Sequence, residues 1–327
     1  MGEKKKIEWL AVLQGFSMLL VVIGHVMLTN KSNDPTTPIA TEIQRVIYTF
    51  HMPLFIFISG WLFYFTCIRK EKPYKEMLLS KVKRLVVPFY TFTLVTMVLK
   101  MKFPQLMHRM VDWQEIVNTF VLFKSNPLGE MWFVVVLFEL MLLYPLYNVM
   151  TKNKVTAVAG IVVAILLNKF TPHLSYFNIG KVAYMSPFFV AGILCCKYQW
   201  QKYIESYGAL LVTTAGFVVC NIMGLLPAQL KIVMVTAGIG FSFSLCLMLA
   251  RRQPRLFCSF RDYTFQIFLM GIFFQMAIRW IYVRIGNELL FIPMWLLSVV
   301  IGVYAPTVIA GLIKRNAPRG IRLCFGL

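Results

Sequence analysis

A chain of 327 residues that is 59% hydrophobic and only 14% charged is not an ordinary water-soluble domain, in which roughly a quarter of residues carry charge. The 33 Lys and Arg against 13 Asp and Glu leave a net charge of +20. The basic residues cluster between long apolar runs and no nucleic-acid-binding pattern accompanies them, so the charge is assigned to anionic lipid and not to RNA or DNA.

A spanning helix needs about 20 mostly apolar residues. By that rule the chain carries ten candidates, at roughly 9–29, 43–67, 82–101, 131–150, 155–170, 182–197, 207–224, 231–250, 264–284 and 290–313. Lys4, Lys5 and Lys6 precede the first run as they would in a signal peptide. No small-residue cleavage site follows, which marks a retained first helix. The second run contains Pro53, whose ring removes a backbone hydrogen bond, and then Ser59 and Gly60, small enough for close helix approach. Between the third and fourth runs, about 102–130, Trp113, Ile116, Val117, Phe120 and Val121 recur at helical steps and suggest an amphipathic helix lying at the membrane interface. The seven cysteines show no CxxC and no Cys/His metal spacing, so they are taken as reduced packing residues with neither disulfides nor a metal site.

With the N-terminus inside, 22 of the 33 Lys and Arg fall on inner segments, among them Lys70, Lys75, Lys152, Arg251, Arg255 and Lys314. A shift by one helix would scramble that bias. The expectation is therefore an all-α, polytopic protein of about ten transmembrane helices. Residues 1–327 form one membrane domain in the cell membrane, the inner membrane if bacterial, with both termini cytoplasmic.

Ionisable side chains within such helices are costly and are the first functional candidates. His25 stands near the outer end of the first run, about 7 Å from its exit, and His51 about 12 Å into the second. Glu139 lies at similar depth in the fourth. Two imidazoles and a carboxylate at one depth suit proton transfer, with a neutral imidazole as base. The competing reading is that each only hydrogen-bonds a neighbouring helix.

Several segments carry a resemblance. Residues 13–25 (LQGFSMLLVVIGH), 50–61 (FHMPLFIFISGW) and 81–90 (KVKRLVVPFY), with weaker pieces at 131–134 (MWFV) and 187–192 (PFFVAG), are similar to signatures of the acyltransferase-3 family of integral membrane O-acyltransferases. The resemblance implies a catalytic histidine at His25, with support from His51 and Glu139. It also implies a donor site for acetyl-CoA or another acyl-CoA involving Gln14, Lys81 and Arg84. The acceptor would be a hydroxyl of an extracytoplasmic or lipid-linked glycan, with membrane lipids around the protein, no metal and no nucleic acid. Gln14 and His25 are eleven residues apart, close to three turns, so they share one helix face about 16 Å apart along the axis. An extended thioester could bridge that distance. The chain departs from the family pattern at Ala11, usually acidic, at Gln14, usually arginine, at Lys81, often arginine, and at Gly271, often histidine. Two alternatives stay open here: a glycan or lipid transporter or flippase, and a family member that binds without turnover.

Overall fold

The computed structural model describes residues 2–28, 38–102, 113–120, 129–170, 176–222 and 231–327, and among these the secondary structure is helical throughout. In chain order the helices are α1 Gly2–Gly24, α2 Pro38–Phe63, α3 Tyr74–Lys81, α4 Val87–Lys102, α5 Trp113–Phe120, α6 Trp132–Leu142, α7 Tyr144–Met150, α8 Lys154–Lys169, α9 Ile179–Tyr198, α10 Gln201–Ile204, α11 Tyr207–Ile222, α12 Lys231–Arg252, α13 Thr264–Ile285, α14 Phe291–Asn316 and α15 Arg319–Cys324.

Among the described residues, six helical segments are long and apolar enough to cross a membrane: Ala40–Ile68, Tyr74–Lys102, Tyr176–Tyr198, Lys231–Arg252, Arg261–Ile285 and Glu288–Asn316. A bent pair, Gly129–Leu142 with Tyr144–Met150, makes seven if it counts as one span. The remaining expected runs are helical but shorter: Glu8–Gly24, Lys154–Lys169 and Tyr207–Ile222. Six or seven spans of sufficient length thus stand where ten were expected. The exposed face of α14 shows what surrounds these helices. Ile292, Leu296, Val300, Tyr304, Val308 and Leu312 recur every fourth residue and all are exposed. An apolar stripe running the length of a helix is costly in water and comfortable in hydrocarbon. The chain is an integral membrane protein.

Several boundaries differ from the sequence reading for identifiable reasons. The fourth run is not straight: α6 and α7 meet at a 55° bend. Pro145 lies in the first turn of α7, where its missing N–H and its ring prevent α6 from continuing. The third run begins at Tyr74, eight residues before the expected start, so Lys81, Lys83 and Arg84 lie inside a continuous helical segment. That segment widens into a π-turn at Val82–Val86, where the Val87 amide bonds the Val82 carbonyl. A second π-turn, Tyr64–Ile68, ends α2, with the Arg69 amide on Tyr64 O at 2.8 Å. Within the segment expected to lie at the interface, a helix is present over Trp113–Phe120, where Phe120 stacks on Tyr90 of α4 at 5.6 Å between ring centroids. The rest of that expectation, including Val121, lies outside the described residues.

The helices gather into two compact units. The first comprises residues 1–55 and 200–316. In it α1 packs on α12 through Trp9 and Phe243, whose ring centroids are 5.1 Å apart. There α2 meets α11 through Phe50 and Phe217, also at 5.1 Å, and Phe50 lies over Gly238 of α12. The α13–α14 hairpin turns at Gly286, whose φ of +65° is accessible to glycine at little cost. The second unit comprises residues 56–199 and 317–327. Its centre is a crossing of α2 and α9, where a Cβ added at Gly60 would strike the Phe189 carbonyl and one at Gly192 the Phe57 carbonyl. Each glycine removes the obstacle to the other backbone, the close approach that small residues permit in membranes.

Candidate functional site

The first unit assembles its polar centre around the C-terminus of α1. A helix ending at Gly24 leaves its last four carbonyls without intrahelical amide partners. Here each finds one. Val21 O accepts the backbone amide of His25 at 3.1 Å and also its ring Nδ1–H at 2.7 Å. Val22 O accepts Gln275 Nε2 of α13 at 2.8 Å. Ile23 O accepts the Val26 amide at 3.3 Å, and Gly24 O accepts Gln44 Nε2 of α2 at 2.9 Å. The first helix was expected to continue to residue 29. Instead His25 is the first residue beyond its end, a half-buried side chain at a helix terminus.

His51, only 2% exposed, comes from α2 and repeats the same device. Its Nδ1 sits 2.8 Å from the carbonyl of Ile47, one turn back. A carbonyl oxygen can only accept, so in both rings Nδ1 carries a proton, and in the neutral imidazole Nε2 is then the basic nitrogen. The two rings meet edge to face at 5.8 Å between centroids. Tyr48 completes the cluster, 5.0 Å from the His51 ring and 5.5 Å from that of His25. In the neutral form each imidazole has a basic Nε2, the nitrogen that can withdraw a proton from a hydroxyl.

Tyr48 and Gln44 carry no charge at neutral pH and do not stand out as costly intramembrane groups, although their spacing offers a signal. Residues 44, 48 and 51 follow each other at steps of four and three, which places them on one face of α2. Gln275 had no such signal, being 253 residues from its acceptor.

The remaining expected site residues fall as follows. Gln14 is half-buried on α1, beside Gly15, whose absent side chain accommodates Phe257: a Cβ there would lie 2.7 Å from Phe257 Cβ. Lys81, Arg84 and Glu139 belong to the second unit. Lys81 is half-buried at the end of α3 with its ammonium 5.6 Å from the Phe63 ring centroid, and Arg84 is exposed within the π-turn. Nearby, the Tyr144 hydroxyl donates to the carbonyl of Lys72 at 2.9 Å, tying the start of α7 to the loop before α3. Glu139 is half-buried on α6, and its Oε2 is buried without a hydrogen-bond partner among the described residues.

A family model describing an acyltransferase domain, that of the acyltransferase 3 family, matches residues 7–311, nearly the whole chain. The chain belongs to the acyltransferase 3 family. No curated protein and no solved structure matches it. The protein is thus a membrane acyltransferase, which requires an acyl donor and an acceptor, and the matched span contains all six residues singled out from sequence. Gly271, where the sequence resemblance leads to an expectation of histidine, is tightly packed. A Cβ at Gly271 would lie 3.0 Å from the Gly302 carbonyl of α14, so a histidine there would need the helices to move apart.

Proposed function

We propose that this acyltransferase moves an acyl group, acetyl in the first instance, from acyl-CoA to a hydroxyl of an extracytoplasmic or lipid-linked glycan. The observation that carries the reading is the histidine pair. Both rings have Nδ1 on a backbone carbonyl, so Nε2 is the basic nitrogen of each neutral imidazole. In this reading His25 removes the acceptor's hydroxyl proton as that oxygen attacks the thioester carbonyl, and CoA thiolate leaves. His51 supports the proton transfer. Glu139, a carboxyl in an apolar helix, assists in orienting groups or holding charge. Lys81 and Arg84 are read as contacts for the donor's phosphates, with charge-assisted bonds favouring that role, and Gln14 as a source of neutral hydrogen bonds to the donor. A site closed to bulk water would limit hydrolysis of the thioester.

The same reading places ten spans in the membrane with both termini in the cytoplasm, the shorter helices α1, α8 and α11 included. The inner-segment excess of Lys and Arg supports it. A cysteine introduced at Glu288 should then react with an impermeant thiol reagent from outside, whereas one at Lys72 or Arg319 should not. The opposite labelling would overturn the orientation. For the activity, purified protein would be incubated with radiolabelled acetyl-CoA and a panel of glycans and lipid-linked sugars. Label is expected in a glycan ester. Turnover confined to non-glycan acceptors would refute the assigned acceptor class.

A further inference from the structure

We propose that Gln275 is a positioning residue for His25. From α13 it holds the final turn of α1 so that the Val21 carbonyl stays aimed at Nδ1 and the His25 ring keeps Nε2 for catalysis. The inference rests on the reading of His25 as the base.

The geometry behind it begins with the frayed end of a helix. Val21 O and Ile23 O take the amides of His25 and Val26. Val22 O and Gly24 O have donors from other helices, so the orientation of that turn depends in part on outside donors. Gln275 supplies one directly beside the critical carbonyl: its Nε2 donates to Val22 O at 2.8 Å, and Val21 O, the neighbour, holds the His25 ring at 2.7 Å. Gln275 is 5% exposed, so its amide has little water to turn to. Packing confines it as well. A Cβ at Gly302 of α14 would lie 3.1 Å from Gln275 Cγ and 3.1 Å from Val22 Cγ1, so the three helices close on this point without slack. The same face of α13 continues past the histidine. Ile278 and Tyr282, at steps of three and four from Gln275, form a buried cluster with Leu28. Thus α13 grips the chain on both sides of His25, at Val22 before it and at Leu28 after it. Of these contacts, only the Gln275 amide bonds the carbonyl adjacent to the one that fixes the tautomer. Gln44 bonds Gly24 O from the other side, where its own surroundings are only partly buried.

Loss of the donor should free the end of α1 to rotate or fray, let the His25 ring release Val21, and mix the two neutral tautomers. A base shifted by about 1 Å costs up to about a hundredfold in rate. The experiment uses the full chain in lipid nanodiscs, labelled with 15N-histidine, with the His25 signal assigned by its disappearance in His25→Ala. Gln275→Met preserves side-chain length and removes the donor. Imidazole nitrogen shifts should show His25 of the parent as the Nδ1–H tautomer and Gln275→Met as a mixture. The kcat should fall about 10- to 100-fold while KM for acetyl-CoA is unchanged. Gln275→Asn, one methylene shorter but still a donor, should fall between the two in both readouts, and it decides the matter if the Met variant does not fold. A parent-like tautomer spectrum in a folded Met variant, or in the Asn variant together with parent-like kcat, overturns the proposal. So does a loss of activity that merely follows the loss of folded protein. If His25→Ala retains turnover, the reading of His25 as base fails, whereas the nitrogen shifts still report whether Gln275 positions the ring.

Discussion

Replacing His25 by alanine separates chemistry from folding because the two costs differ in size. The folded state loses the hydrogen bond from Nδ1 to Val21 O at 2.7 Å. Its net contribution is about 1 kcal/mol. The Val21 carbonyl is not orphaned, since the His25 backbone amide still reaches it at 3.1 Å. The side chain is only half-buried, so its removal opens no sealed cavity. By contrast, losing a positioned base lowers turnover by about 10²- to 10⁴-fold, or about 2.7–5.4 kcal/mol of barrier at 1.36 kcal/mol per tenfold. His25→Ala is therefore expected to insert and purify normally, with a thermal midpoint close to that of the parent, and to lose at least 99% of label transfer from acetyl-CoA. His51→Ala makes a useful contrast. At 2% exposed, its deletion leaves a cavity and should lower stability as well as activity. Turnover in His25→Ala within a few-fold of the parent would refute the assignment of the base. A collapse in stability equal to the loss in rate would show that the histidine serves the helix end and not the reaction.

Two further outcomes follow from the second unit. Gly60→Ala puts a methyl group against the Phe189 backbone, whose carbonyl carbon and Cα would be 2.9 and 3.1 Å away, and Gly192→Ala does the same to α2. Each should cost about 1–3 kcal/mol by overpacking, read as a lower thermal midpoint in detergent, while Gly208→Ala and Gly216→Ala on α11, with nothing within 4 Å, should not lower it. Equal behaviour of all four would show that the crossing is slack. Replacing Lys81 and Arg84 together with glutamine should raise KM for acetyl-CoA about tenfold or more, near 1.4 kcal/mol per decade, with little change in KM for the acceptor. Equal rises for both substrates would point to altered insertion instead of lost phosphate contacts.

The sequence by itself determined the membrane class, the family and the candidate histidines. Apolar runs separated by basic segments are a local property that hydrocarbon and anionic lipid read directly, and a His-Met-Pro run inside a helix is conspicuous because both histidine and proline are costly there. The small pair Ser59 and Gly60 also told of a close helix approach, although not of its partner Gly192. Helix ends were less legible. Hydropathy carried the first helix through to residue 29, whereas side chains from two other helices and His25 itself stop it at Gly24 by satisfying its carbonyls. The bend at Leu143 was written locally, in Pro145, but a window of uniformly apolar residues hid it. Only the tertiary structure decided that Tyr48 and His51 meet His25, and that Gln275 reaches Val22 across 253 residues. A tautomer is set by which atom lies opposite each ring nitrogen. For both rings that atom is the carbonyl four residues earlier in the same stretch of helix, so this contact is local, whereas the meeting of the two rings depends on how α1 and α2 pack.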